Sequence, residues 1–406
     1  MSAHQVERLD DEGDGLVTVD GAARAIPLAV PGDTVTFIGG GPQIVPISPA
    51  RADPVCHLFG RCGGCRVQHL ADDAYASWKR DRLVMALMRK GLDVPVAPMA
   101  RAPLASRRRL TMSATRRGGT TIAGFFARAS HQLVDVPHCP ALAPPLGRAL
   151  PGLRDLLLAA AQKTGEARLT ATLCDNGIDA ALLTPPTQGR RKKPKRPPPL
   201  MADDPAIIRV SLDGETLFQR EPPIVCFDGI SVPFPPGAFL QASREGEAAL
   251  LAAVREGVGN PQRVLDAFCG LGTFAVPLSG AASVTAVDID GPSIGSLESA
   301  ARHMSGRKAL TAMRRNLMRH PLGPAELKGF DAVVFDPPRA GAKGLAASLA
   351  ASGVPAVVAV SCEPATLARD CAQLVAGGYK ITHALPVDQF VATAHIEAVV
   401  TLRRDA

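Results

Sequence analysis

Cys362 is the residue of this 406-residue chain whose type and position point most directly to chemistry. The apolar run at 356–360 predicts a buried strand, which ends before Pro364 because proline has no N–H to donate to a ladder. A thiol just beyond the carboxyl end of a strand lies in the crevice where open α/β sheets bind ligands. Free cysteines are also common in protein cores, so a reactive Cys362 requires support from other residues.

Polar residues at the ends of three further predicted strands supply that support. Gly270 and Gly272 follow the first and allow a ligand to approach the backbone, and Asp288 ends the second, where an acid accepts both hydroxyls of a ribose. The third glycine of a dinucleotide fingerprint is missing, which argues against NAD and for S-adenosylmethionine. Asp336 ends the fourth predicted strand of this half, and the two prolines after it stiffen the turn that directs its carboxylate into the crevice.

Four cysteines have the spacing of a metal site rather than of disulfides: Cys56, Cys62, Cys65 and Cys139. The two glycines between Cys62 and Cys65 let the backbone turn tightly enough to direct both thiolates inward. Cys139 is followed by a proline, as is the last cysteine of bacterial ferredoxin-type clusters. Four thiolates suit either a tetrahedral Zn²⁺ ion or an iron–sulfur cluster, and their spacing alone does not separate the two.

The elements that must position the crevice residues follow a regular α/β pattern from about residue 235 onward. Helical stretches separate the first five predicted strands, which indicates βαβ units and a doubly wound sheet. Two last strands follow each other after a short gap, so a closing hairpin completes a sheet of seven. The predicted strands are 264–268, 283–289, 309–314, 332–335, 356–361, 381–387 and 396–402.

The rest of the chain divides into two predicted regions. Residues 1–50 predict a small β module, because short apolar runs alternate with closely spaced glycines, as in a barrel of the OB type. Residues 51–234 form a central α+β region that holds the four cysteines and a predicted helix over 74–90. With the α/β region at 235–406, the length accommodates three domains.

Composition favours a polyanionic partner. The formal net charge is +7, but one run at 190–196 supplies six positive charges, without which the balance is +1. That run is rich in proline and cannot pack a core, so it is either a solvated loop or an arm that binds phosphates. No apolar segment is long enough to cross a bilayer and the N-terminus lacks a signal-peptide pattern, which predicts a soluble cytoplasmic protein that we expect to be a monomer.

Taken together, these motifs resemble those of the RNA uracil-5-methyltransferase family, specifically its 23S ribosomal RNA branch with an N-terminal TRAM domain and a [4Fe–4S] cluster. The resemblance covers nearly the full length. It rests on segments 9–15, 31–32, 56–65, 139–144, 239–241, 266–274, 336–339, 361–364 and 395–397. It implies a Rossmann-like methyltransferase sheet after a TRAM-like barrel and an iron–sulfur domain.

The resemblance also implies roles for individual residues. Cys362 is the expected nucleophile that adds to C6 of uracil, and Glu397 the expected base that removes the C5 proton. S-adenosylmethionine would contact Gln241, Phe268, Thr273, Asp288, Asn316 and Asp336. The four cysteines would hold the [4Fe–4S] cluster, and the substrate would be 23S rRNA, because the bacterial tRNA branch lacks both the TRAM domain and the cluster.

Three residues depart from the family pattern. Glu363 stands where asparagine is usual, Val391 where proline is usual, and Thr273 where the rRNA branch has asparagine. A carboxylate beside Cys362 is expected to raise the pKa of the thiol. Three alternatives remain at this point: a tRNA substrate, a non-catalytic RNA-binding or ribosome-assembly factor, and a methyltransferase that acts on an exocyclic amine without a thiol.

Overall fold

The computed structural model of this protein describes residues 2–184 and 203–404, so the basic run at 190–196 lies outside the described residues. Its helices are α1 (Asp72–Met88), α2 (Pro144–Thr164), α3 (Arg244–Val258), α4 (Ala275–Leu278), α5 (Gly291–Ala301), α6 (Pro324–Leu327), α7 (Lys343–Ala350) and α8 (Pro364–Ala376). The strands of the first half are β1 (Ala3–Gln5), β2 (Arg8–Leu9), β3 (Gly15–Val19), β4 (Ala22–Ile26), β5 (Thr34–Ile38), β6 (Gly41–Val45), β7 (Ala100–Arg101), β8 (Arg109–Arg117), β9 (Thr120–Phe126), β10 (Leu133–Asp135), β11 (Glu166–Leu173) and β12 (Ile178–Leu183). Those of the second half are β13 (Ile207–Leu212), β14 (Glu215–Gln219), β15 (Ile224–Phe227), β16 (Ile230–Pro233), β17 (Arg263–Ala267), β18 (Ser283–Asp288), β19 (Leu310–Arg314), β20 (Ala332–Phe335), β21 (Ala356–Ser361), β22 (Tyr379–Asp388) and β23 (Glu397–Arg404).

The N-terminal β module consists of two three-stranded antiparallel sheets, ordered β1-β5-β6 and β2-β3-β4. Its small core is made of alternating apolar residues, among them Val17, Val19 and Val35. Asp33 is fully buried and pairs with Arg51 at 2.6 Å, which ties the end of the module to the chain that leads to the cysteines. A β domain therefore precedes the rest of the fold, as the glycine spacing predicted.

The central region is built on a seven-stranded sheet ordered β10-β9-β8-β11-β12-β13-β14. Helix α2 covers one face of it, and its leucines recur at helical spacing, so Leu146, Leu150, Leu153 and Leu157 are all buried against the sheet. Isolated bridges place the cysteine-containing segments at one end of this sheet, because Cys62 pairs with Ala127 just after β9, and Leu142, close to Cys139, pairs with Arg107 just before β8.

The C-terminal sheet has the order β19-β18-β17-β20-β21-β23-β22-β7. Its strands are parallel to one another except for β23, which runs against both of its neighbours. Strands β20 and β21 are buried at every residue, because helices cover both faces of the sheet, and this explains their continuous apolar runs. All seven predicted strands are present, with ends shifted by at most two residues.

An eighth strand, β7, was not predicted. It comes from the central region and pairs in parallel with the end of β22, so that Arg101 lies opposite Asp388. Helix α1 crosses the same predicted domain boundary, because its Leu83 and Leu87 share a hydrophobic core with Leu367 and Leu374 of α8. The chain before residue 235 thus completes the α/β layer. Among the described residues, no helix is long and apolar enough to cross a membrane.

Candidate active site

Cys362 and Glu397 meet because β21 and β23 are antiparallel neighbours. Ser361, the last residue of β21, pairs with Ala398 near the start of β23. In an antiparallel ladder the residue after Ser361 therefore lies beside the residue before Ala398, and these two are Cys362 and Glu397. The register of the sheet joins a thiol and a carboxylate that are distant in sequence.

The Cys362 thiol is half-buried, and burial is the largest cause that raises its pKa to about 11. The negative charges of Glu397 and Asp336 act in the same direction, whereas the Arg339 guanidinium opposes them. The raised pKa thus has causes other than the expected one, Glu363. The carboxylate of Glu363 instead accepts a long hydrogen bond, 3.5 Å, from the N–H of Ala365 at the start of α8.

A chain of side-chain amides links Glu397 to Asp336. The Nε2 of Gln389 donates to Glu397 Oε1 at 3.2 Å and to Gln241 Oε1 at 2.6 Å. The Nε2 of Gln241 in turn donates to Asp336 Oδ2 at 3.1 Å. The N–H of Ala242 fixes Gln389 by donating to its Oε1 at 2.8 Å. All these groups are buried or nearly so, so their positions depend on one another.

Glu397 has the properties of a proton acceptor. It is only 4% exposed, and its Oε2 is buried without a hydrogen-bond partner in the described part of the chain. Burial and the nearby charge of Asp336 raise the pKa of Glu397 well above its usual range, and burial raises the pKa of Asp336 to about 6. A buried carboxylate with a free oxygen facing a thiol can take a proton from a group bound between them.

The glycine loop after β17 has the geometry of a nucleotide cradle. The N–H of Gly270 donates to Asp288 Oδ2 at 2.9 Å, and the N–H of Asp290 to Asp288 Oδ1 at 2.8 Å. Gly270 has a φ of +52° and open space where a Cβ would stand, whereas a Cβ on Gly272, at φ +91°, would lie 2.7 Å from Leu297. Asp288 is thus held at the loop, and each of its oxygens keeps a lone pair for a ligand hydroxyl.

Two residues beside this loop carry further signs of a ligand site. Phe268 has a φ of +63°, which is strained for a bulky residue and occurs mainly at functional positions. Asp266 is fully buried, and neither of its carboxylate oxygens has a hydrogen-bond partner of normal geometry among the described residues. Burial raises the pKa of the Asp266 carboxyl well above its usual range, and groups perturbed in this way are concentrated at functional sites.

The remaining predicted contacts lie around the same crevice. Thr273 follows Gly272 in the loop and is half-buried. Asn316 follows β19, and its side-chain oxygen accepts from the N–H groups of Met318 and Arg319, both at 3.1 Å, so its amide nitrogen stays available. The ends of the parallel strands therefore gather the predicted cofactor residues at one edge of the sheet.

Comparison with known proteins identifies the family. Residues 233–405 match the tRNA (Uracil-5-)-methyltransferase family. A protein of Brucella suis named uncharacterized RNA methyltransferase is 38% identical over 97% of this chain and 95% of its own. The 23S rRNA (uracil(1939)-C(5))-methyltransferase of Chromohalobacter salexigens is 32% identical over 88% of this chain and 78% of its own. This chain belongs to the RNA uracil-5-methyltransferase family.

A solved structure has the same fold as this RNA uracil-5-methyltransferase. The tRNA (uracil-54, C5)-methyltransferase of Pyrococcus abyssi, solved with S-adenosyl-L-homocysteine, superposes with a TM-score of 0.73 over 98% of this chain and 99% of its own. The two chains are 22% identical, so the likeness concerns the fold. Family membership favours catalysis over the non-catalytic alternative, and uracil C5 over an exocyclic amine.

The four predicted cluster ligands of this methyltransferase line one cavity of about 320 Å³: Cys56, Cys62, Cys65 and Cys139. Gly63 is required there, since a Cβ on it would stand 2.8 Å from the carbonyl oxygen of Phe126. Burial raises the pKa of the Cys139 thiol to about 11. Among the described residues, no three His, Cys, Asp or Glu side chains are placed to hold a single metal ion.

Sequence reasoning missed Gln389, which contacts both Gln241 and Glu397. A signal was present, because Gln389 lies in the short link between the last two strands, where the site had to be completed. Asp266 was also missed as a site residue, although an acid in the first strand just before the glycine loop is a visible pattern. The same link carries Val391, one of the departures from the family pattern, whose side chain lines the cysteine cavity.

Proposed function

We propose that this enzyme methylates C5 of a specific uridine in 23S rRNA, with S-adenosylmethionine as the methyl donor and with a covalent bond between Cys362 and C6 of the uracil. The observation that carries the proposal is the placement of Cys362 beside Glu397 at the open edge of the sheet that bears the glycine loop. A base in a duplex or a stack must be flipped out to reach this crevice.

Cys362 is assigned the role of nucleophile. C5 of uracil is a poor nucleophile, and addition of a thiolate to C6 turns the ring into an enolate whose C5 is reactive. The thiolate is the reactive form, and Arg339 is the nearby positive charge that favours it. Burial raises the pKa of the free thiol to about 11, so loss of the thiol proton is part of the proposed addition to C6.

Glu397 is assigned the removal of the C5 proton after methylation. Loss of that proton restores the double bond between C5 and C6 and expels the Cys362 thiolate, so the product leaves only after this step. Burial makes Glu397 a stronger base, and its unpartnered Oε2 is the atom available to accept the proton. Gln389 holds the other oxygen at 3.2 Å and so fixes the orientation of the carboxylate.

The crevice fits S-adenosylmethionine. The fit rests on the open space at Gly270 and on the orientation of Asp288, whose two oxygens are held by backbone N–H groups of the loop region. When bound, S-adenosylmethionine supplies an electrophilic methyl group. Asp288 would accept the ribose hydroxyls, and the other residues proposed to hold the cofactor are Gln241, Phe268, Thr273, Asn316 and Asp336.

A [4Fe–4S] cluster is proposed for the cysteine cavity. Cys56, Cys62, Cys65 and Cys139 face one space of about 320 Å³ rather than one point. A single tetrahedral Zn²⁺ ion would bring its four sulfur atoms to within about 4 Å of one another, since each Zn–S bond is about 2.3 Å. A cluster of four irons holds its ligands farther apart, which suits four cysteines that line a cavity of this size.

The nucleophile is tested by Cys362→Ala with a second cysteine as the control. Cys226 is exposed and lies on β15, outside the crevice, so Cys226→Ala should leave the rate unchanged. Cys362→Ala should abolish transfer of radiolabelled methyl groups to unmodified 23S rRNA while binding of S-adenosylmethionine persists. Full methylation by this variant would refute the covalent mechanism, and methylation of tRNA instead of 23S rRNA would select the other branch of the family.

The metal is tested on protein purified without oxygen. We expect iron and sulfide in equal amounts and a brown colour, both lost in Cys62→Ser and retained in Cys226→Ser. Stoichiometric zinc in colourless protein would reject the cluster.

A further inference from the structure

Helix α1, which is far in sequence from β22 and β23, carries a fully buried lysine. The Nζ of Lys79 donates to Asp388 Oδ1 at 2.6 Å, to the carbonyl oxygen of Phe390 at 3.1 Å and to that of His395 at 2.5 Å. An ammonium group has three donors, and all three are used. Each acceptor lies in or at the start of the link between β22 and β23, so one side chain fixes both ends of that link.

Tyr75 acts on the same link from one turn earlier in α1. Residues four apart share a helix face, so Tyr75 lies beside Lys79. Its hydroxyl donates to the other carboxylate oxygen of Asp388 and accepts from the N–H of Ala392 at 3.0 Å. Ala392 has a φ of +62°, a left-handed conformation that a non-glycine residue adopts only when its surroundings impose it.

A second backbone contact fixes Ala392 from the segment that follows the cysteines. Its carbonyl oxygen accepts from the N–H of Arg66 at 2.7 Å and of Val67 at 3.2 Å. The strained residue is thus bonded on both its N–H and its C=O by parts of the chain outside the α/β sheet. The N-terminal half of the protein thus holds the link near both of its ends and at Ala392.

The link carries the side chains that orient the proposed base. Gln389 follows Asp388 directly and contacts Glu397 at 3.2 Å and Gln241 at 2.6 Å. Glu397 stands two residues after His395, whose carbonyl oxygen Lys79 binds. A displacement of the link would therefore move Gln389 relative to Glu397, which β23 holds, and would loosen the contact that orients the carboxylate.

The burial of this ion pair is hard to explain by stability alone. Lys79 and Asp388 are both fully buried, and burial lowers the pKa of Lys79 to about 8 despite its partner. Two apolar side chains of the same volume would stabilise a core at least as well as a buried ion pair. The ion pair instead fixes the conformation of the link, because the Lys79 ammonium group donates to three defined oxygen atoms there, which apolar side chains could not do.

We infer that Lys79 and Tyr75 are positioning residues for the methylation reaction, because together they hold the β22–β23 link so that Gln389 keeps Glu397 at the uracil. The inference rests on the proposed function of Glu397. Formation of the bond between Cys362 and C6 does not need Glu397, whereas release of the product does. We call the hydrogen bonds from Lys79 and Tyr75 to the link the clamp. Loss of the clamp should therefore slow release of the methylated product more than formation of the bond between Cys362 and C6.

The test uses the full-length protein with Lys79→Met and with Tyr75→Phe, which removes one hydroxyl and keeps the ring. The probe is whichever transcript, 23S rRNA or tRNA, the unaltered protein methylates. The control is Tyr379→Phe, because Tyr379 is also buried and donates to the carbonyl oxygen of Val354 at 2.7 Å, but at the opposite end of β22. The readouts are kcat, the Kd for RNA, the folded fraction, and the share of enzyme in an RNA adduct that survives denaturing electrophoresis.

We expect kcat to fall about 10- to 100-fold in both clamp variants, with an unchanged Kd, while the adduct accumulates as it does in Glu397→Gln. Tyr379→Phe should show at most a lower melting temperature. A normal kcat per folded Tyr75→Phe molecule, or a lower kcat without adduct, would overturn the inference. If Glu397→Gln itself traps no adduct, the proposed function fails and not merely the clamp.

Discussion

Gly246 offers the sharpest test of how closely the active site is packed. It lies in the first turn of α3, where its N–H donates to the capping Ser243 Oγ at 3.0 Å. A Cβ added to Gly246 would fall under 3.0 Å from Gln389 Cβ and 3.2 Å from Gln389 Oε1. Gly246 is held in the backbone of α3, and Gln389 directly follows the end of β22. The added methyl group of Gly246→Ala must therefore displace the Gln389 side chain.

The size of the effect follows from the contacts that Gln389 makes. Restoring an ordinary contact moves its side chain by about 1 Å, and such over-packing of a core costs about 1–3 kcal/mol of folding free energy. The same shift breaks or lengthens its bonds to Gln241 and Glu397, now 2.6 and 3.2 Å. A misplacement of this size in a catalytic group lowers a rate by about 100-fold.

The matched control is Gly295→Ala. Gly295 lies within helix α5, and a Cβ there would meet open space. Alanine is preferred over glycine inside a helix by about 0.5–1 kcal/mol, so this variant should be slightly more stable and fully active. Methyl transfer to RNA and thermal melting are measured on both proteins.

We expect Gly246→Ala to lose about 100-fold in kcat. Its affinity for S-adenosylmethionine should fall much less than kcat, because the Gly270 loop and Asp288 are untouched and only Gln241, among the residues proposed to hold the cofactor, loses its contact with Gln389. A fully active Gly246→Ala, or an equal loss in Gly295→Ala, would show that the position of Gln389 does not limit the reaction.

Four further expectations follow. Alkylation of Cys362 by iodoacetamide, followed by peptide mass spectrometry, should continue to accelerate above about pH 9, where an ordinary thiol reaches its plateau, because burial raises the pKa of Cys362 to about 11; a plateau near pH 9 would contradict the burial of the thiol. Burial lowers the pKa of His69 to about 4, whereas the same imidazole in the unfolded chain is protonated near pH 6.5. The free energy of unfolding should therefore fall as the pH drops from 6.5 to 4. In urea titrations, His69→Leu should reduce this fall by about 1–3 kcal/mol. Asp33→Ala should cost about 3 kcal/mol in urea unfolding, because it leaves the partly buried Arg51 without its carboxylate, and a neutral result would refute a structural role for the pair. Deletion of 189–199 should weaken RNA binding and flatten its salt dependence, and an unchanged salt slope would show that this run does not contact phosphates.

The candidate site residues at strand ends could be found from the sequence, because local patterns mark where a strand ends. The apolar run before Cys362 and the prolines after Asp336 each depend on neighbours within a few residues, and the corresponding strands β21 and β20 begin and end as predicted. Prediction of α1 was also close, 74–90 against Asp72–Met88, because a helical apolar stripe is equally local.

The spatial proximity of Glu397 and Cys362 could not be predicted from local patterns. The motif alone named both residues, but only the antiparallel pairing of β23 with β21 places them side by side. The burial that raises the pKa values of both groups likewise depends on helices and strands that close over them.

The amino-acid sequence by itself determined the order of the α/β units, the glycine loop and the place of Cys362 just after a strand end, because each depends on short-range apolar periodicity and turn chemistry. Only the tertiary structure decided that α1 and β7 join the methyltransferase sheet and that Lys79 binds Asp388, 309 positions later. No local pattern specifies such a pair, because its two members are brought together by the packing of whole elements. The geometry around Gln389 and Glu397 is therefore a property of the complete fold.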